Sequence, residues 1–309
     1  MQTILGANGQ IAEELTKTLY QQYTKKIRLV SRNPKKVHDS DELVSANLLN
    51  ANATEAAVAG SEIVYLTVGL PMNSSMWEAQ FPVMMQNVIN ACKKKDAKLV
   101  FFDNTYMYAK TSDPQTEKSP FAPEGRKSAV RAEIAEMLLK EIGSGSINAV
   151  ICRAPEFYGP GKTQSITNTM IFDNIHQNKK LKVPLSDTTR RSLIWTPDAS
   201  SAMALIAHTP DANNQTWHLP CDDRRPTYEQ LINMAAEIYG KPLRHQVVNM
   251  LTFQIGGLFN SKLKELKELL PRYKQDNIFV SEKFKARFPD FKVTTFKEGI
   301  SQIKKENQL

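Results

Sequence analysis

Residues 6–12 of this chain read Gly-Ala-Asn-Gly-Gln-Ile-Ala, between a short apolar run at 2–5 and a stretch of helical spacing at 11–23. Few folds place two glycines three apart between a strand and a helix. The first glycine permits the sharp strand-to-helix turn. The second lets backbone approach a pyrophosphate, and the small Ala12 lets the helix pack close to the strand. The helix then aims free N–H groups and a partial positive charge at the phosphates. Gly6, Asn8, Gly9, Gln10 and Ile11 are therefore the expected pyrophosphate contacts.

The rest of the first half repeats this rhythm. Apolar runs at 27–30, 63–68, 99–103 and 147–153 alternate with amphipathic stretches at 81–95 and 129–141. Continuous apolar strands separated by helices predict a parallel sheet covered on both faces, an α/β doubly wound (Rossmann) fold. In the helix at 81–95, Val83, Met84, Asn87, Val88 and Ala91 share the inward face; in the one at 129–141, Ile134, Leu138 and Leu139 do. After Pro155 prolines punctuate and helices dominate. The sequence divides into a dinucleotide-binding domain, 1–155, and a smaller, mostly helical substrate region, 156–309. Part of the latter, roughly 190–205, is expected to return to the sheet.

The end of the second strand selects the cofactor. A ribose 2′-hydroxyl calls for Asp or Glu there and a 2′-phosphate for Arg. The sequence runs Val30-Ser31-Arg32-Asn33-Pro34-Lys35-Lys36, with no carboxylate. Arginine takes a phosphate in a bidentate fork. NADP(H) is expected over NAD(H), with Ser31 and Arg32 on the 2′-phosphate.

Composition narrows the classes further. The net charge of +8 comes with short lysine runs (93–95, 179–180) mixed with acids, and no nucleic-acid motif accompanies them. No apolar run approaches a membrane span, and polar residues interrupt the amino-terminal stretch before any signal-peptide core forms. The three cysteines, Cys92, Cys152 and Cys221, are scattered and odd in number, which fits a reducing cytoplasm. None of the five histidines pairs at a metal-ligand spacing, so no metal is expected. No nucleophile elbow is present.

These segments together resemble the extended short-chain dehydrogenase/reductase superfamily, in its nucleoside-diphosphate-sugar epimerase/dehydratase group. The resemblance runs through "ILGANGQIA", "SANLLN", "IVYLTVG", "FFDNTYMYAK", "ICRAPEFYGPG" and "RRSLIWTPDASSAMALI". It implies adenine contacts at Asn47 and Leu48, and Thr67, Val68 and Gly69 beneath the ribose and nicotinamide. It implies a small-molecule substrate met by Trp77, Phe157, Tyr158, Arg190 and Arg191, with no nucleic-acid or membrane partner. Related folds often dimerise through helices flanking the sheet, so a homodimer is a candidate assembly.

The family's proton-transferring pair is Tyr-x-x-x-Lys. Aligned on Glu133, those positions carry Gly125 and Ala129, and the family's serine position falls on Asn104. Three readings stay open. Asn104, Tyr106 and Tyr108, just past the fifth strand, supply a displaced acid, with Lys127 as a pKa-lowering neighbour. Alternatively Tyr158 or another phenol serves. Or the chain binds NADP(H) without turnover and reports its state to a partner. The amphipathic stretch at 258–270 reads as a helix packed on the substrate region with a solvated charged face.

Overall fold

A computed structural model describes residues 1–161 and 163–306. Its strands are β1 (Gln2–Leu5), β2 (Ile27–Ser31), β3 (Glu42–Ser45), β4 (Ile63–Leu66), β5 (Lys98–Asp103), β6 (Ala149–Arg153), β7 (Glu156–Tyr158), β8 (Leu181–Pro184), β9 (Leu193–Trp195), β10 (Gln215–His218) and β11 (His245–Val248). The helices are α1 (Gln10–Gln22), α2 (Ala51–Val58), α3 (Ser74–Lys95), α4 (Arg126–Gly143), α5 (Asp173–His176), α6 (Thr196–Ala207), α7 (Tyr228–Tyr239), α8 (Met250–Phe259), α9 (Ser261–Leu266), α10 (Glu282–Arg287) and α11 (Phe296–Glu306).

Seven strands form one parallel sheet in the order β10-β6-β5-β4-β1-β2-β3. Alternate residues of each central strand point to opposite faces, and both faces are buried. Ile4, Leu29, Tyr65, Val100 and Val150 pack under α1, α6 and Phe284 of α10. Leu5, Val30, Val64, Leu66 and Phe101 pack under α2, α3 and α4. Chain connections leave β1 toward β2 on one side and β4 toward β5 on the other. The carboxyl ends of β1 and β4 therefore form the crevice at which doubly wound sheets bind ligands. A second lobe, built from the parallel pairs β7–β9 and β8–β11 with α5, α7, α8 and α11, has its own apolar core.

Several sequence expectations need correction. Of the segment 190–205, β9 pairs with β7 outside the main sheet, while α6 returns to pack on the sheet and against α1. The late strand that does enter the sheet is β10, beside β6. The helix expected at 81–95 begins seven residues earlier, because the Asn73 side chain caps it by accepting from Met76 N–H at 2.8 Å. Val83 and Leu139 face outward rather than inward. The single helix expected over 258–270 is broken at Asn260, whose extended backbone separates α8 from α9. Its charged face is solvated only in part: Lys264 is exposed, whereas Glu265 and Glu268 turn inward, as described below.

Candidate functional site

At the crevice, Gly6 sits at φ +100°, and a Cβ there would lie 2.8 Å from Val68 N. Glycine at position 6 is thus fixed by the fold itself, which brings the loop after β1 against the segment after β4. Gly9 is different. Its φ is −81°, and a Cβ would find its nearest atom, Gly6 O, at 3.4 Å, an ordinary contact. Gly9 is the N-cap of α1, where glycine is favoured over larger apolar residues, and the room above it is open. The helical ladder of α1 opens with Glu13 N–H to Gly9 O at 3.0 Å, so the N–H groups of Gln10, Ile11 and Ala12 precede it at the helix mouth.

The side chains expected on the pyrophosphate have other work. Asn8 donates to Asn33 O (2.7 Å) and accepts from Lys35 N–H (3.2 Å), tying the glycine loop to the turn after β2. Gln10 accepts from Gln164 N–H, and the Ile11 side chain is in the core. Ser31 accepts from Asn33 N–H, while Arg32 is exposed and its guanidinium makes no ion pair among the described residues. Asn47 is exposed and holds its own turn by accepting from Leu49 N–H (3.2 Å), whereas the Leu48 side chain is buried under α2 and α3, leaving only its backbone to a ligand. Thr67 donates its hydroxyl to Leu5 O (3.0 Å), and Gly69 stands in open space.

Beyond β5 the chain turns through Asn104, Tyr106 and Tyr108, and the structure separates them. Asn104 accepts from Tyr106 N–H (2.9 Å), so its amide NH₂ remains a free donor. Tyr106 is half-buried, stacked on Trp77 (6.2 Å) with the Arg272 guanidinium 4.8 Å above its ring. Burial raises its phenol, with Arg272 partly opposing. Tyr108, expected as an acid, is instead sealed in a network. Its hydroxyl accepts from Arg153 Nη1 (2.6 Å) and lies 2.8 Å from His218 Nε2. His218 Nδ1 faces Val280 O, which can only accept, so Nδ1 carries the proton, and Nε2 and Thr116 O (3.0 Å) compete as acceptors for the single Tyr108 hydroxyl proton. Asp103, unnoticed in the sequence, anchors this core: one oxygen takes Arg131 and the other Arg153.

Two comparisons bear on this geometry. The model of the NAD dependent epimerase/dehydratase family matches residues 3–219. The chain belongs to that family. The UDP-glucuronic acid 4-epimerase of Bacillus cereus, solved with NAD, superposes with a TM-score of 0.81 at 13% identity, covering 100% of this chain and 99% of that one. The UDP-glucose 4-epimerase of Thermus thermophilus, solved with NAD, gives 0.78 at 15%, covering 100% and 99%. The dTDP-glucose 4,6-dehydratase of Bacillus anthracis, also solved with NAD, gives 0.79 at 16%, covering 99% and 96%. At such identities the likeness is one of fold. No curated protein matches the chain in sequence.

Set in this epimerase/dehydratase fold, the position expected for a tyrosine holds a glycine in a backbone conformation that other residues rarely adopt. Gly125 is the N-cap of α4 at φ +107°, and a Cβ there would lie 2.5 Å from Glu268 Cγ and Cδ. Lys127, expected to lower a tyrosine's pKa, is 1% exposed and does so for a carboxylate. Its ammonium donates to Glu265 Oε2 and to Ser74 Oγ. Burial alone would raise Glu265, but hydrogen bonds from Lys127 and Ser74 bring it down to about 2. Glu265, Glu268 and Arg272 escaped the sequence reading. The only trace is an acid pair three apart, Glu265 and Glu268, in an otherwise basic segment.

The substrate-side expectations also change. Trp77 is buried and donates to Pro71 O (2.9 Å). Tyr158 is a core residue of the second lobe, packed between Trp195 and Phe296. Phe157 is half-buried against Phe102 (5.9 Å). Arg191 is fully buried: it pairs with Glu156, lies 4.4 Å over Tyr273, and donates to the carbonyls of Arg272 and Gln275. Its guanidinium is already engaged within the protein. Arg190 alone of this group remains exposed.

Proposed function

We propose that this epimerase/dehydratase-family chain binds NADP(H) in preference to NAD(H) and reduces, or reversibly oxidises, a carbonyl or hydroxyl of a small substrate, sugar nucleotides being the first to test. The observation that carries the reading is Gly9: the N-cap of α1, with open room where a side chain would stand, in a loop that Asn8 ties to the turn bearing Arg32, which has no ion-pair partner among the described residues. Gly9 with the N–H groups of Gln10 and Ile11 would hold the pyrophosphate. Ser31 and Arg32 would hold the 2′-phosphate, Asn47 and the Leu48 backbone the adenine, and the backbone of Thr67–Gly69 would lie beneath the ribose.

When bound, the nicotinamide ring supplies or accepts the hydride. The chain's own part is the proton. Tyr106 has a raised phenol and so stays protonated, which suits a donor to a carbonyl oxygen in the direction of reduction. The free amide NH₂ of Asn104 would orient that same oxygen. Turnover of NADPH with a panel of sugar nucleotides and simpler carbonyl compounds tests this. The expected result is oxidation of NADPH with at least one of them, faster than with NADH.

A second reading has its own observation. Gly125 stands where a tyrosine is expected, with the Glu268 side chain against it, and Lys127 is committed to Glu265, which favours a non-catalytic NADP(H)-binding protein that reports cofactor state. Tight NADPH binding without turnover on any substrate would select it. The outward-facing Val83 of α3 and Leu139 of α4 support a homodimer through those helices, which sedimentation would reveal. The buried, unpaired Cys92, Cys152 and Cys221 support a cytoplasmic setting.

A further inference from the structure

The chain from 32 to 41 contains neither helix nor strand, yet four backbone groups of residues 32–35 are held by side chains. Ser45, at the end of β3, donates its hydroxyl to Arg32 O (2.9 Å). Ser31 accepts from Asn33 N–H (3.2 Å). Asn8, in the glycine loop, donates to Asn33 O (2.7 Å) and accepts from Lys35 N–H (3.2 Å). Pro34 has no N–H to place, and its ring fixes φ. Ser45 stands opposite Ser31 across β2 and β3, so it reaches the turn at its first residue. Water could satisfy each of these backbone groups at the surface. What the side chains add is a fixed shape.

The charges of the turn take no part in this. Arg32 and Lys35 are exposed, and neither side chain has a hydrogen bond or an ion pair among the described residues. The charged groups that follow are engaged on their own loop: Lys36 donates to Asp39 O, and Asp41 accepts from Val37 N–H and His38 N–H. A pinned backbone that carries unpaired cations is prepared for an anion. The entropy of ordering the turn is lost on folding, so little remains to be lost on binding. Both the oxygen and the nitrogen of the Asn8 amide are engaged on this turn, although Asn8 stands in the loop expected to hold the pyrophosphate.

We propose that Asn8 and Ser45 are positioning residues for cofactor choice: they hold the 32–35 turn from two sides, so that Arg32 meets the 2′-phosphate of NADP(H). This role rests on the NADP(H) reading above. It carries a signature that a direct contact would not. NADH and NADPH share the pyrophosphate, so a residue touching it serves both alike. A residue that acts through Arg32 serves only the cofactor that carries the 2′-phosphate.

Calorimetric titration of the full-length protein with NADPH and with NADH reads the difference. In Ser45→Ala the NADPH affinity should fall about threefold, and in Asn8→Ala, which loses two hydrogen bonds, about tenfold, with NADH affinity within about twofold of wild type in each. Ser45→Thr keeps the hydroxyl and should keep the preference. On an Arg32→Ala background neither Asn8→Ala nor Ser45→Ala should lower NADPH affinity further, as expected of residues that act through the arginine. Equal losses for NADPH and NADH would overturn the positioning role, since direct pyrophosphate contact gives that result. Losses that persist in full on the Arg32→Ala background would overturn it too. Hydrogen exchange at the Lys35 amide, followed without cofactor, should be faster in Asn8→Ala than in wild type; unchanged exchange would mean that Asn8 does not hold the turn. Equal affinities of the wild type for the two cofactors would sink the NADP(H) reading and this role with it. A wild-type preference that both variants keep would leave that reading intact and remove only the role of Asn8 and Ser45.

Discussion

The two ends of the crevice differ in what they leave undone. Around the glycine loop the chain keeps room and groups in reserve: Gly9 could carry a side chain, the first N–H groups of α1 precede the ladder, and Arg32 has no ion-pair partner among the described residues. Around the ends of β5 and α4 the charged groups are mostly paired within the chain, while Ser128 Oγ and Arg153 Nη2 lie buried without a partner among the described residues. Tyr108 is bound to Arg153 and His218, Lys127 to Glu265, and Arg191 to Glu156. Buried polar groups must be satisfied, so a region that satisfies them internally reads as structure and one that does not reads as a place for a ligand. The cofactor end is a prepared site, and the catalytic end is a prepared interior with a narrow exception at Asn104 and Tyr106.

That exception gives the largest expected effect. Tyr106→Phe should lower turnover by about a hundred- to ten-thousandfold with little change in thermal stability. Tyr108→Phe should do the reverse: it should cost about 1–2 kcal/mol of stability by breaking a buried hydrogen bond, while the rate stays within a few-fold of wild type. Rates and denaturation of the two variants, side by side, break the comparison if Tyr108 carries the rate or Tyr106 the stability. Next in size is Arg32→Ala, which should erase a preference for NADPH over NADH of about ten- to a hundredfold. Calorimetry with both cofactors measures it, and equal affinities in the wild type would remove the 2′-phosphate assignment.

Smaller effects sharpen the account of the filled end. Lys127→Met should cost about 1–3 kcal/mol in urea unfolding, because Glu265 keeps only Ser74 as partner. His218 is faced by Arg153, Lys283 and Tyr108, and burial with the Arg153 charge takes it down to about 3. Its folded pKa lies below the ordinary value of 6.5, so the unfolded chain binds the proton first. Its contribution is complete above about pH 6.5 and is lost as pH falls toward 3, at up to about 1.4 kcal/mol per unit. Asp198, raised to about 6 by burial against the two hydrogen bonds of Thr294, acts oppositely as pH rises from about 4 to 6. The difference between wild type and His218→Phe isolates the histidine. That variant keeps the stack on Phe279 and should show a flatter acid limb.

The same contrast governs what the sequence made legible. The first-half strands β1, β2, β4, β5 and β6, α1 and the glycine loop follow from local periodicity and local turn chemistry, and they lie where the residues place them. Gly9 and Arg32 stand out in the sequence because the turns that carry them are local, at strand ends. The filled end is made by long-range pairs: Lys127 with Glu265, Gly125 against Glu268, Asp103 with Arg131 and Arg153. No window of sequence contains both members of such a pair, so Lys127 was read toward a tyrosine and Arg191 toward a substrate. The break at Asn260 that turns one amphipathic run into a hairpin has a local cap, Asn260 Oδ1 accepting from Leu263 N–H (3.3 Å), and is backed by packing of α9 on Gly256 and Gly257.

The two glycines of the loop put the central claim to its most direct test. Gly9→Val and Gly6→Ala would be melted with and without NADPH. Gly9→Val should unfold within about 2 °C of wild type without ligand, because its backbone and surroundings accept a side chain, yet lose the few degrees of stabilisation that saturating NADPH gives the wild type. Gly6→Ala should melt lower whether or not cofactor is present, strained at φ +100° against Val68. An NADPH-induced shift in Gly9→Val equal to that of wild type would contradict the account, since the open space above Gly9 would then not be where the pyrophosphate lies.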